Sequence, residues 1–167
     1  MSDPMKYPRN TSGFTMIELL VVIVVLAILI GLAVSVGKYV TDKARIDETR
    51  ATQTLVMTAV EMYHDVRRIY PQNRPADTTS KLRNANLLDQ LKNDKGSMAK
   101  LNALPSDAVD TANGWILDGF GRPFDYSPDG GLGGRPVLIS PGPDGKLSTD
   151  AGGKPEYDKD NIRSDQS

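Results

Sequence analysis

Glu18 is the residue whose type and setting most require a chemical reason. It opens an apolar run in which residues 19–37 carry no ionisable side chain. A carboxylate at the edge of so apolar a segment is costly unless a positive charge or hydrogen-bond donors satisfy it. The other concentration of chemistry lies near the C-terminus. Asp144, Asp150, Glu156, Asp158 and Asp160 place carboxylates in a Gly/Pro-rich stretch whose bends expose carbonyls. Calcium takes about six to eight such oxygens in a tolerant geometry. The spacing is not that of an EF-hand, and an ordinary solvated turn with Asp-Gly chemistry explains the same residues equally well. Catalysis is weakly supported. His64, the single histidine, lacks a Ser, Cys or metal constellation, and a hydrolytic carboxylate pair in the tail is a poorer reading than a cation loop or turn.

The elements that must position these groups follow from spacing. At the helical rise, residues 19–37 extend about 28 Å, enough to cross a bilayer's hydrocarbon core. An ordinary secretory signal would be cut after its apolar segment at small residues, and Ser35-Val36-Gly37-Lys38-Tyr39 is a poor match for that. Beyond the run, Ala44, Ala51, Leu55, Ala59, Met62, Val66 and Ile69 recur mostly in steps of three and four. That spacing predicts an amphipathic continuation packed on a globular head. No proline occurs between Phe14 and Pro71, so Tyr70-Pro71 is the expected stop. A continuous helix over 14–70 would be about 85 Å long, with Gly31 and Gly37 as points of bending.

A second helix is expected over 79–93, with Leu82, Ala85, Leu88 and Leu91 on its apolar side. Eleven of the 15 glycines lie from Gly114 onward, where short apolar runs between Gly and Pro read as strands and turns. The best strand candidates are 124–127 and 137–140, joined by a long hairpin connection. Trp115, Phe120, Phe124 and Tyr126 read as core aromatics. Residues 161–167 are polar and are expected to fray. The fold class is therefore α+β: a long N-terminal helix on a small antiparallel sheet. A formal net charge of −1 and the lack of a basic stripe argue against nucleic-acid binding. The absence of cysteine excludes disulfides and thiolate metal sites. Lys6 and Arg9 precede the apolar run, but Lys38, Lys43 and Arg45 follow it, so charge sets membrane orientation only weakly.

Gly13-Phe14-Thr15-Met16-Ile17-Glu18 and the following Leu19-Leu20-Val21-Val22-Ile23 resemble the class III signal of type IV pilins and type II secretion pseudopilins. The resemblance implies a prepilin leader at 1–13, cleavage after Gly13 and N-methylation of Phe14. It also implies that Glu18, fifth in the mature chain, pairs with the terminal amine of a neighbouring subunit during assembly. Asp118-Gly119-Phe120-Gly121-Arg122-Pro123-Phe124-Asp125-Tyr126 is similar to the D-x-W-G-x-P-Y-x-Y segment of the major pseudopilins, with Gly119-Phe120 in place of Pro-Trp. Ile139-Ser140-Pro141-Gly142-Pro143-Asp144-Gly145 resembles that branch's S-x-G-x-D-G loop, and Asp158-Lys159-Asp160-Asn161-Ile162 its acidic ending.

From the resemblance, calcium would be held by Asp144, Asp158 and Asp160 with carbonyls of Ile139 and Ser140, while Asp150 stays open because of the insertion after it. The implied layout is a leader (1–13), a transmembrane half-helix (14–37), an amphipathic half-helix (38–70) and a periplasmic head (71–167) with a calcium-type loop. The implied role is a non-enzymatic subunit of a type II secretion pseudopilus, single-pass in the bacterial inner membrane. Its partners would be copies of itself, a prepilin peptidase, other pseudopilins, the assembly platform and membrane lipid. Export would be powered by a separate ATPase, because no phosphate-binding loop occurs here. A type IV pilin, a competence-type pseudopilin or, more remotely, a membrane-anchored calcium-binding adhesion module are the alternatives.

Overall fold

A computed structural model of the chain describes residues 13–147 and 160–166. The chain divides into two units, Met1–Val40 and Thr41–Ser167. The longest element, α1 (Met16–Arg67), contributes to both. Its proline-free sequence allows an unbroken backbone ladder, since proline would remove a donor and clash with the preceding turn.

In the first unit the helix is apolar all round. Large side chains from Phe14 to Leu32 are exposed, Val24 and Val25 at 48% and Met16 at 93%. None of the described residues of that unit covers them. A helix hydrophobic on every side needs an apolar environment, and this one is long and apolar enough to cross a membrane.

The second unit has a core of its own. After the second half of α1 come α2 (Ser80–Lys92), α3 (Lys95–Leu101), and five short strands: β1 (Val109–Asp110), β2 (Trp115–Ile116), β3 (Asp125–Ser127), β4 (Val137–Ser140) and β5 (Ile162–Arg163). β1 and β2 form an antiparallel pair, while β3, β4 and β5 form an antiparallel sheet in that order. The register sets Tyr126 opposite Leu138 and Ser140 opposite Ile162. Val56, Ala59, Val60 and Tyr63 of α1 meet Leu87, Leu88 and Leu91 of α2 and Ile116, Phe124, Tyr126 and Leu138 of the sheets. The α+β architecture and the two best strand candidates agree with the sequence reading.

Five expectations are corrected. The buried face of α1 is Thr49, Thr52, Gln53, Val56, Ala59, Val60 and Tyr63. Of the anticipated stripe only Ala59 is fully buried. Ala44, Ala51 and Val66 are exposed, and Leu55 and Met62 half-buried. The true face is rotated by roughly a third of a turn from the apolar one. Polar side chains make this rotation possible by bonding to the strands. Gln53 Nε2 donates to the carbonyls of Leu138 (3.0 Å) and Ile162 (2.7 Å). Thr49 Oγ1 donates to Arg45 O and accepts from Gly119 N (3.0 Å). The hydrogen bonds offset the desolvation cost of these buried polar groups, and hydropathy alone cannot reveal them.

The helix also stops at Arg67, short of Tyr70-Pro71. Arg68 turns left-handed at φ 60°, leaving Ile69 outside the helix. Tyr70 then stacks on His64 with ring centroids 4.3 Å apart. The second helix matches its expected limits, with Thr79 as N-cap accepting from Leu82 N. Its buried side, however, centres on Asn84, Leu87, Leu88 and Leu91, and Leu82 is exposed. Asn84 stitches the two sheets together, donating to Ile116 O and Phe124 O and accepting from Ile116 N.

The end of the chain is not frayed throughout. Ile162 and Arg163 form a buried strand on β4. Among the aromatics, Phe124 and Tyr126 are buried, whereas Trp115 and Phe120 are half-buried. α3, capped by Asp94 accepting from Ser97 N, was not anticipated from the sequence.

Gly119 explains the departure from the Pro-Trp pattern. Its N–H serves Thr49, which a proline could not, and a Cβ there would collide with the backbone carbonyl of Arg45.

Candidate functional site

Two regions hold the candidate residues, one in each unit. At the N-terminal region, α1 begins at Met16 with Thr15 just before it. Thr15 N and Thr15 Oγ1 both donate to Glu18 Oε2 at 2.8 Å, and Glu18 N donates to Thr15 Oγ1 at 3.3 Å. This is a capping box: a threonine at the cap and a glutamate three residues on satisfy each other's backbone donors. The carboxylate also sits at the positive end of the helix dipole. Glu18 is therefore held locally by Thr15, and both donors meet the same carboxylate oxygen.

Gly13 and Phe14 are exposed, Phe14 at 83%. A Cβ added at Gly13 would meet nothing within 4 Å, and Gly13 is not among the glycines with positive φ. The Gly13-Phe14 peptide bond is thus exposed and is followed at once by the helix.

At the C-terminal region, Ile139 and Ser140 are buried in β4, while Asp144 lies in the turn that follows. Asp158, like Asp150 and Glu156, lies outside the described residues. Asp144 and Asp160 do come together: Asp144 N donates to Asp160 Oδ2 at 3.2 Å, and Asp144 Oδ1 accepts from Lys146 N at 2.8 Å. The Ser140 side chain turns to Asp118, donating to its Oδ2 at 2.5 Å and accepting from Gly142 N at 3.0 Å. The carbonyls of Gly142 and Pro143 accept from the guanidinium of Arg122.

Calcium requires about six to eight oxygens. Among the described residues Asp160 meets Asp144 through the latter's backbone N–H, and the Arg122 guanidinium takes the carbonyls of Gly142 and Pro143. No group of three or more His, Cys, Asp or Glu side chains suited to a metal occurs among the described residues. Sequence reasoning did not single out Asp118 and Arg122 as loop partners. The signal available was an Asp and an Arg four apart around Gly121, which adopts φ 75° and closes the turn between them.

A family profile described as the prokaryotic N-terminal methylation motif matches residues 8–34. The match spans Gly13, Phe14, Glu18 and most of the apolar run. No curated protein and no solved structure matches the chain. The motif supports a type IV pilin-like or pseudopilin subunit that is processed by a prepilin peptidase, and it implies pilus-type polymerisation. The apolar N-terminal half of α1 fits an inner-membrane anchor, and the long helix with small antiparallel sheets fits a pilin-like fold.

Proposed function

We propose that this chain is a non-enzymatic structural subunit of a type II secretion pseudopilus, cut after Gly13, methylated on Phe14 and polymerised to drive protein export. The observation that carries the proposal is the exposed Gly13-Phe14 junction immediately before a capped, all-apolar helix, inside the matched methylation motif. Cleavage leaves a cationic amine at a helix N-terminus, where the dipole disfavours positive charge. Glu18 lies one turn away. In a membrane, neither charge is stable alone, and pairing offsets the cost of both.

The amine of one subunit and the Glu18 of its neighbour satisfy each other when subunits stack. The apolar side chains of residues 17–36 then exchange lipid for one another. The head remains in the periplasm. The 118–126 and 139–145 segments, similar to those of the major pseudopilins, favour secretion over adhesion.

Deletion of the gene in its native host, with complementation, tests the choice. Loss of secreted proteins from the medium, with any surface pili intact, is the expected result. Intact secretion with loss of surface pili or of DNA uptake would assign the chain to a pilin or competence system instead.

A further inference from the structure

Beyond Thr41, α1 has more than one face to satisfy. Its core-facing side is covered by the head, but Ala44, Ala51, Leu55, Met62 and Val66 line a second side that the head leaves open. Ala44 and Ala51 are exposed, Leu55 and Met62 half-buried, and Val66 is 69% exposed. Ala44, Leu55 and Val66, and likewise Ala51 and Met62, recur every 11 residues. That period, about 3.67 residues per turn, keeps the stripe nearly parallel to the helix axis over about 33 Å. Every charged residue three or four places from a stripe position is acidic: Asp47, Glu48 and Asp65, all exposed. Residues so spaced share a helix surface. An open apolar strip edged by carboxylates alone suits a partner that offers an apolar side chain beside a cation.

The chain carries such a surface on another side of α1. A cleft of about 310 Å³ is lined by Arg50, Thr54, Met57 and Glu61 of α1 and by Arg163 and Ser164 at β5. At 3.6 residues per turn, these α1 positions lie about a third of a turn from the stripe. The loop between β3 and β4 is tied to the same strand. Arg163 pairs with both carboxylate oxygens of Asp165 (2.7 and 2.6 Å), and Asp165 Oδ2 accepts from Leu132 N at 2.9 Å. Arg163 Nη2 also donates to Gly130 O at 3.4 Å, and Gly131 N donates to Arg135 O at 2.9 Å. A stretch with four glycines around one leucine is thus fixed through its backbone, while the Leu132 side chain is 67% exposed. Arg135, three residues on, is exposed too, and Asp129 at the loop's start accepts from Ser127 Oγ. A tip already fixed loses little conformational freedom on docking.

We infer that in the assembled protein the Leu132 loop of one copy docks on the apolar stripe of the next, with Leu132 among Leu55, Met62 and Val66 and with Arg135 facing the carboxylates beside them. The two surfaces are unlike, so the contact is head-to-tail. Such a contact passes from copy to copy and builds an open helical filament, whereas stripe against stripe would close at a dimer. The inference rests on the polymerising reading and adds which surfaces of the second unit meet.

The chain has no cysteine, so an engineered pair reports the contact directly. Full-length protein carrying both Leu132→Cys and Met62→Cys is produced with an active prepilin peptidase, oxidised and run on a non-reducing gel beside each single variant. The double variant should give a ladder extending beyond the dimer, and each single variant only monomer. Leu132→Asn, which keeps the backbone bond to Asp165, should lower the yield of sheared filaments about tenfold with the Tm of the head unchanged. Leu132→Met should retain them, and Arg135→Glu should lower the yield to a lesser degree.

Filaments from the double variant without a ladder would overturn the inference, as would a normal filament yield from Leu132→Asn. Dimers from Met62→Cys alone would also overturn it, by assigning the stripe to a symmetric contact. If the wild type forms no filaments under the same conditions, the polymerising reading fails and this inference with it.

Discussion

The two halves of α1 share a secondary structure and little else. Over residues 16–32 the helix presents aliphatic side chains on all sides, and the large ones are all exposed. After Thr41 it buries a face that begins with Thr49, Thr52 and Gln53 and becomes apolar only at Val56. The first half is built for an environment supplied from outside, whether lipid or neighbouring copies of the same segment. The second is built for its own head, through side-chain hydrogen bonds to strands far away in sequence. The helix ladder is the same in both. What separates them is where each side chain's hydrogen bonds and apolar surface are satisfied.

If that contrast is right, the largest effect should come from Glu18, the one carboxylate of the first half. Glu18→Ala is expected to leave cleavage after Gly13 intact and to abolish filament assembly, judged by shear fractions or crosslinking between subunits. Normal filaments from the variant would break the account of that half.

In the second half, Gln53→Leu removes two buried hydrogen bonds, to the carbonyl of Ile162 and to that of Leu138, which keeps only Ser164 N, at a cost of about 1–3 kcal/mol. Denaturant unfolding should show the loss, with filament assembly retained under conditions where the head is folded. Val56→Ala on the same face should cost about 2 kcal/mol from lost burial and an unfilled cavity. Ala51→Ser, on the apolar stripe that the head leaves uncovered, should change stability by no more than about 0.5 kcal/mol. Equal costs at 51 and 56 would mean that the buried face has been misidentified.

The smallest effect is electrostatic. Backbone and side-chain bonds from Ser97 hold the Asp94 carboxyl below its ordinary range, and the Arg163 guanidinium does the same for Asp165. Both groups are easier to protonate in the unfolded chain. Their contribution is therefore complete above the ordinary aspartate value of about 3.9 and is lost as pH falls through the lower folded values. The head's Tm should be flat between about pH 5 and 7 and decline below about pH 4. Asp94→Asn should make that acid decline shallower.

Much of this was legible in the sequence, and the reasons differ by region. The apolar first half of α1 and the N-terminal methylation motif could be read directly, because composition and a short motif carry that signal without tertiary structure. β3 and β4 were legible because Gly and Pro bracket their β-branched and aromatic residues. The face of α1 was not, since Thr49, Thr52 and Gln53 look solvent-seeking until the carbonyls of Leu138, Ile162 and the Gly119 N–H are placed beside them. β5 was hidden for the same reason. Ile162-Arg163 sits in a polar stretch, and only Gln53 together with the bidentate Arg163–Asp165 pair (2.7 and 2.6 Å) shows why it can be buried. The turn after β4 suggested a cation from its carboxylates. That a guanidinium reaches it could not be seen without knowing that the 118–122 turn lies alongside.

The most direct test of the central claim is the intact mass of the full-length protein extracted from membranes, produced with and without an active prepilin peptidase. The account predicts a product lacking residues 1–13 and carrying one added methyl group only when the peptidase is present. An uncut chain of full mass in the presence of an active peptidase would contradict it, and would leave the apolar helix as a plain anchor.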